Sequence, residues 1–227
     1  AMLSAVISKI AVFGLFMTAY LAIRSEVGLE MAHVMGWIGL LTTIAGAIMA
    51  LQQTDMKRML GYSSMSQIGY IITAIALMSH LGWVTALYLV ANHLLVKGIL
   101  FLAAAAIIMR TGTRLLSDLG GLARAMPQTF ALATIAIVAM SGLPPLAGFG
   151  GKWLLLSAMM EKGWYVSALM TLLATFVGFL YMARFIQALF FGERNAASAA
   201  ATESPFALLL PQYLLVACIL VMSFFPK

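Results

Sequence analysis

Seven long, predominantly apolar segments dominate this sequence and restrict its fold more than any other feature. A helix needs about 20 apolar residues to cross a bilayer, whereas a spanning strand would show alternating polarity over about ten residues. The apolar runs here do not alternate. They predict an all-α fold, a polytopic transmembrane helix bundle with about seven spans. The segments lie at residues 2–23, 34–52, 61–79, 82–109, 127–161, 163–191 and 206–225.

The composition excludes several classes of protein. Of the 227 residues, 63% are hydrophobic and only 9% are charged, against roughly 25% charged residues in soluble domains. These values exclude a soluble enzyme, a nucleic-acid-binding domain and an intrinsically disordered chain. The expected surroundings are a lipid bilayer, with no nucleic acid as a partner. We interpret the formal net charge of +6 as a topology signal.

Motifs for metals and cofactors are not recognisable. The sequence has no HExxH, no P-loop, no GxGxxG and no cysteine cluster. The single cysteine, Cys218, lies in an apolar run and is interpreted as a small apolar residue. We therefore expect no metal, no cofactor and no catalytic chemistry in this chain. No basic stretch precedes the first apolar segment, so we expect no cleaved signal peptide and a chain that is part of something longer.

The lysines and arginines between the segments predict an orientation. If segment 127–161 crosses the membrane once, six of these residues fall on one side and three on the other. The larger group is then expected in the cytoplasm. The larger group is Lys57, Arg58, Arg110, Arg114, Arg124 and Arg194, and the smaller group is Arg24, Lys162 and Lys227.

Segment 127–161 is interrupted by prolines and glycines. Each proline removes a backbone donor, and glycine does not hold a helix. One interpretation is a broken helix, unwound from 143 to 151 at membrane depth, as in ion transporters. The other is an extramembrane turn between two short helices, and Lys152 directly after the interruption favours the first. The residues of the interruption are Gly142, Pro144, Pro145, Gly148, Gly150 and Gly151.

Lys97 lies near the middle of segment 82–109, where an ionisable group costs about 2.5–3.5 kcal/mol and is a functional candidate by default. His93 precedes it by four residues, so both side chains lie on one helix face, roughly 6 Å apart along the axis. Asn92 lies on the adjoining face. The pair is interpreted as a step of a proton relay, and the alternative is a structural His–Lys pair held by carbonyl groups.

Two further lysines fall inside apolar segments. Lys152 follows the interruption, where the free carbonyls of a broken helix stabilise a cation. Lys9 lies in the first segment, and its ammonium either serves the relay or extends to the interface. No aspartate or glutamate lies near mid-membrane, so water, Ser66, Tyr70 or another chain is expected to supply the partners.

Four motifs resemble those of one protein family. They lie at residues 54–70 (TDMKRMLGYSSMSQIGY), 93–102 (HLLVKGILFL), 118–122 (DLGGL) and 141–152 (SGLPPLAGFGGK). In this order they are similar to the antiporter-like membrane subunits. That family includes proton-pumping subunits of NADH:quinone oxidoreductase (complex I), large subunits of Mrp-type cation/proton antiporters, and membrane-bound hydrogenase subunits.

The resemblance implies a fourteen-helix core with two inverted five-helix repeats, of which this chain would be the second half. Segment 2–23 would close the first repeat, 34–191 would be the second repeat, and 206–225 would be the closing helix. Lys9 resembles the lysine that links the two half-channels, His93 and Lys97 resemble the central pair of the second one, and Lys152 resembles its terminal ionisable residue. The first repeat, with its own Glu–Lys pair, is not in this sequence, so we do not expect residues 1–227 to transport ions alone.

The expected function is a proton-translocating half-channel in a redox-driven pump of the inner (plasma) membrane, with other membrane subunits as partners. One alternative is a Mrp-type Na⁺/H⁺ antiporter subunit, although sodium prefers oxygen ligands and no embedded carboxylate supplies one. A second alternative is a non-conducting structural subunit that kept the fold.

Overall fold

The computed structural model describes residues 8–22, 28–193 and 196–225. These residues form helices and connecting turns, and within them no strand occurs beyond a single bridge between Asp55 and Leu115. A short 3₁₀ turn spans Leu116–Asp118. The helices are α1 (Ser8–Ala22), α2 (Gly28–Gln52), α3 (Met56–Ala76), α4 (His80–Thr111), α5 (Pro127–Ser141), α6 (Ala147–Glu161), α7 (Tyr165–Phe190), α8 (Ala196–Ala199) and α9 (Phe206–Phe224).

The predicted all-α fold is confirmed, and each predicted segment contains a helix. Four helices in the described residues are long and apolar enough to cross a membrane, and many of their large apolar side chains are exposed. The chain is therefore a multi-pass membrane protein. The four are Glu30–Gln52, His80–Thr111, Tyr165–Phe190 and Phe206–Phe224.

Helix α3 is more polar than these four because it lies inside the bundle. It buries serines, threonine and glutamine that a lipid-facing helix would not carry. The hydroxyls of Ser63, Ser64 and Thr73 donate to carbonyls about one turn earlier in the same helix, as Thr73 Oγ1 does to the Gly69 carbonyl at 2.9 Å. Such bonds satisfy a polar side chain without a second helix. The polar side chains of α3 are thus buried inside the protein.

Helices α2 and α3 pack backbone against backbone through small residues. A Cβ atom added to Gly69 would lie 2.5 Å from the Thr43 amide nitrogen and 2.6 Å from the Gly39 carbonyl oxygen. Gly39 makes the reciprocal contact, because its added Cβ would lie 2.8 Å from the Thr73 amide nitrogen. Contacts this short exclude any side chain at either glycine, so the position of α3 depends on α2.

The first motif, residues 54–70, begins with a helix cap. The Asp55 carboxylate accepts from the Lys57 and Arg58 amides at 2.8 and 3.1 Å, which satisfies two free donors at the start of α3. Its second oxygen lies 2.8 Å from Nε of Arg114. Asp55 therefore ties the start of α3 to the loop that follows α4.

The motif at 118–122 covers the end of α7. The amides of Gly121, Leu122 and the following Ala123 donate to the last two carbonyls of that helix and to the carbonyl just after it, at 3.0 to 3.3 Å. These carbonyls lack partners within the helix, and the loop supplies donors for them. The motif thus contributes to a backbone cap on α7.

Helices α5 and α6 together run from one end of the bundle to the other. At one end Thr129 Oγ1 in the first turn of α5 lies 2.7 Å from Ser204 Oγ, and Arg110 at the end of α4 donates to the neighbouring Glu203 carbonyl. At the opposite end Trp164, just after α6, packs on His33 in α2 with ring centroids 5.2 Å apart. The interruption therefore lies between the two ends of the bundle.

We predict that Gly69→Ala destabilises the protein. The new methyl group would collide with the backbone of α2, which cannot move aside as a flexible side chain would, and overpacking of this kind costs about 1–3 kcal/mol. Gly61→Ala in the same helix is the control, since nothing lies within 4 Å of its added Cβ. Thermal unfolding in detergent should show a lower midpoint for Gly69→Ala only, and equal midpoints would contradict the proposed close packing.

Candidate functional site

Lys97 is buried in the middle of α4 and is held by α3. Its side chain is 0% exposed, and Nζ donates to the Leu60 carbonyl at 2.8 Å and to Ser63 Oγ. The hydroxyls of Ser63 and Ser64 each donate to the same Leu60 carbonyl at 2.9 Å. The Ser63 hydroxyl therefore accepts a hydrogen bond from the lysine and donates one to the Leu60 carbonyl. These acceptors are neutral groups.

Lys152 is buried in the second turn of α6 and contacts the end of α5. It is 6% exposed, and Nζ donates to the Met140 and Ser141 carbonyls at 3.3 and 3.1 Å. The last carbonyls of a helix lack intrahelical partners and carry partial negative charge. A cation at this position is therefore stabilised by the break in the helix. The ammonium also lies 5.2 Å from the ring centroid of Tyr70.

Gly142 allows this contact. It ends α5 with φ of +79°, the left-handed conformation that an L side chain resists. A Cβ atom there would lie 2.6 Å from Cδ of Lys152. The glycine thus ends α5 and leaves room for the lysine stem over the end of that helix.

The unwound stretch is shorter than expected. It covers residues 142–146 and contains Pro144 and Pro145, and the helix resumes at Ala147. Gly148, Gly150 and Gly151 are therefore helical, although the sequence predicted unwinding up to 151. Gly148 has a packing role instead, because a Cβ atom on it would overlap the Ala139 carbonyl. The glycines allow close approach of α6 to its neighbours.

One face of α3 connects the two lysines. Ser63, Gln67 and Tyr70 are spaced at i, i+4 and i+7, so they line one side of the helix over about 10 Å. All three are buried. Tyr70 OH lies 3.1 Å from Thr175 Oγ1 in α7. The polar face, defined here as Ser63, Ser66, Gln67 and Tyr70, begins at the Lys97 amine and ends at the Lys152 amine.

The remaining predicted residues of α4 are buried as well. His93 and Asn92 are 2% and 4% exposed, one turn before Lys97. Among the described residues, Oδ1 of Asn92 and Oγ of Ser66 are buried without a protein hydrogen-bond partner. Buried polar atoms of this kind are commonly satisfied by internal water. Both atoms thus mark positions where water would complete the polar face.

Only the backbone of Lys9, the last predicted relay residue, is described. Its backbone lies in the first turn of α1, and its side chain lies outside what the structure describes. Its role stays a prediction.

Several polar residues near the site were not singled out from the sequence. Ser63 and Gln67 are in the first motif, and their helical spacing with Tyr70 was the signal that could have found them. Tyr181 in α7 interacts with Gln67. Arg184 falls in segment 163–191 yet is exposed, and it donates to the Leu51 carbonyl at the end of α2. It closes a helix end and does not join the buried lysines.

The chain belongs to the family described as "NADH:quinone oxidoreductase/Mrp antiporter, TM", which matches residues 1–178. It is 35% identical over 188 residues to NADH-quinone oxidoreductase subunit N of Desulforudis audaxviator, covering 82% of this chain and 38% of that protein. It is 31% identical over 225 residues to a Na⁺/H⁺ antiporter subunit of Alkalihalophilus pseudofirmus, covering 99% of this chain and 45% of that protein.

A solved structure agrees with this assignment. The chain superposes on a subunit of the membrane-bound sulfane sulfur reductase, an archaeal respiratory membrane complex, with a TM-score of 0.91 and 34% identity. The match covers 98% of this chain and 38% of that subunit. The chain thus spans less than half the length of each of these three proteins.

We predict that Gly142→Ala destabilises the protein more than Gly112→Ala. Both glycines end a helix in the left-handed conformation, with φ of +79° and +73°, which costs an alanine about 1–2 kcal/mol. Only at Gly142 would the methyl group also displace Lys152, because nothing lies within 4 Å of the Cβ position at Gly112. Thermal unfolding of both variants in detergent measures the difference, and an equal loss would show that the lysine stem does not occupy this space.

Proposed function

We propose that this chain is the proton-translocating half-channel of an antiporter-like subunit in a redox-driven proton pump. The observation that carries the proposal is the polar face of α3, which links the two buried amines of Lys97 and Lys152 inside an apolar bundle. Burial of two lysines is costly in a membrane protein, and packing alone does not require them. Family membership and the respiratory relatives support the same function.

The proposed route uses lysines that gain and lose protons. A lysine amine can exist in a neutral form, whereas arginine stays protonated. The acceptors around Lys97 and Lys152 are hydroxyl and carbonyl groups, which do not fix the charged state as a carboxylate would. Protons would pass between Lys97 with His93 and Lys152 along the polar face, with Ser66, Asn92 and water completing the path. Lys9 would connect this route to the other half-channel.

The proposed topology has seven spans, with α5 and α6 counted as one broken crossing. Helix α1 would close a first inverted repeat, residues 34–191 would form the second, and α9 would be the closing helix. The loops after α2 and α4 would lie in the cytoplasm, which the excess of basic residues on that side supports, and the membrane would be an inner (plasma) membrane. Other membrane subunits would bind this chain and supply the energy source.

A Mrp-type antiporter subunit is the second candidate, since the match to the Na⁺/H⁺ antiporter relative covers 99% of this chain. In that case a sodium ion would move against the protons. Sodium needs oxygen ligands, and the free carbonyls at the end of α5 are of this type, although Lys152 contacts two of them. A sodium requirement for proton movement would favour this candidate.

We predict that Lys97→Met abolishes or greatly reduces proton translocation in the intact parent complex while assembly is kept. Methionine fits the apolar surroundings of α4 but cannot carry a proton. Lys97→Arg should restore little activity because its charge cannot be switched off. Proton translocation per turnover and complex abundance are the measurements, with and without sodium.

The exposed Lys162→Met is the matched control and should pump normally, since it removes an amine that lies at the end of α6. Normal pumping by Lys97→Met at normal abundance would refute the relay and favour a non-conducting structural subunit.

A further inference from the structure

Helix α9 and the residues before it hold the first half of the broken helix at its start. The Glu203 carboxylate accepts from the Gln128 amide and from Thr129 Oγ1, both at 2.7 Å. Tyr213 OH in α9 donates to Oε1 of Gln128 at 3.0 Å. A carboxylate at a helix start accepts from free amides and interacts favourably with the positive end of the helix dipole. The start of α5 is therefore fixed to the start of α9.

The other end of α9 holds the second half of the broken helix. The Ala147 amide, the first of α6, donates to Ser223 Oγ at 2.8 Å. Leu146 precedes the helix and has no side-chain acceptor to cap it, so the cap comes from a residue 76 positions away. Ser223 donates its own hydrogen to the Ile219 carbonyl at 2.7 Å, which leaves its lone pairs for Ala147. Tyr88 OH donates to the neighbouring Met222 carbonyl at 3.4 Å.

The cap at Ala147 affects Lys152 because both residues lie in α6, which the break separates from α5. Residues 142–146 interrupt the hydrogen-bond ladder, so α5 and α6 are not held in register by a continuous helix. Lys152 follows Ala147 by five residues, about 7.5 Å along the axis. Any sliding of the start of α6 would carry the ammonium away from the Met140 and Ser141 carbonyls.

We propose that Ser223 is a positioning residue for Lys152. By capping α6 from α9, it sets the distance between the Lys152 ammonium and the end of α5. The effect on translocation rests on the proposed function, whereas the effect on the start of α6 does not. The start of α5 and the start of α6 are thus both hydrogen-bonded to α9 or to the residues just before it.

The test compares Ser223→Ala with Ser223→Thr in the intact complex. Thr42→Ala is the control, since the hydroxyl of Thr42 donates within its own helix on an exposed face. Hydrogen exchange of the peptide covering residues 143–153 reports on the start of α6 independently of transport. We expect exchange about fivefold faster in Ser223→Ala, the effect of losing a helix cap, and a lower translocation rate at unchanged abundance. Ser223→Thr keeps the hydroxyl and should restore both.

Each outcome separates the two proposals. Unchanged exchange in Ser223→Ala overturns the positioning role whatever the transport result. Faster exchange with normal translocation also overturns it if Lys152→Ala blocks translocation, because the cap then does not set the function of the lysine. If Lys152→Ala itself translocates normally, the proposed function fails at this residue, while the exchange result still decides whether Ser223 caps α6. Failure of Ser223→Thr to restore exchange would also count against the positioning role.

Discussion

The contact between the Lys152 ammonium and the free carbonyls at the end of α5 is the interaction on which the centre of this protein depends. A broken helix leaves carbonyls without donors, and a buried lysine needs acceptors. Each removes the cost of burying the other. The contact requires a left-handed residue without a side chain at the end of α5, which Gly142 provides, and a close approach of α6 to α5, which Gly148 provides. The two glycines and the lysine are therefore parts of one feature.

Lys97 meets the same requirement in a different way. It lies in a continuous helix, so no free carbonyl is available nearby in α4 itself. Helix α3 supplies an acceptor carbonyl at Leu60, together with the Ser63 hydroxyl. In both sites the lysine rests on neutral acceptors from a neighbouring helix. An ion pair would hold the amine in its charged form, whereas neutral acceptors allow the proton exchange that the proposed relay needs.

The sequence predicts local features well and nonlocal contacts poorly. Apolar runs predicted the helices, and the prolines and Gly142 predicted the break, because both effects act within a few residues. Gly148 was assigned to the unwound stretch because a glycine looks the same whether it breaks a helix or lets another backbone approach. Ser223 gave no signal, since the helix that it caps begins 76 residues earlier. Lys97 and Lys152 could be singled out from the sequence because a lysine inside an apolar segment costs free energy to bury. Their hydrogen-bond acceptors could be found only from the structure.

The packing of α3 against α2 limits how the proposed route can work. Backbone contacts at Gly39 and Gly69 hold α3 close against α2, so a shift of its polar face relative to the two lysines would also disturb α2. Proton movement along that face must then come from smaller changes: rotation of the Ser63, Ser66 and Tyr70 hydroxyls, exchange of water, and swings of the lysine stems. The proposed path thus runs along a helix that is held closely by α2, and Gly148 holds the start of α6 just as closely to α5 beside Lys152.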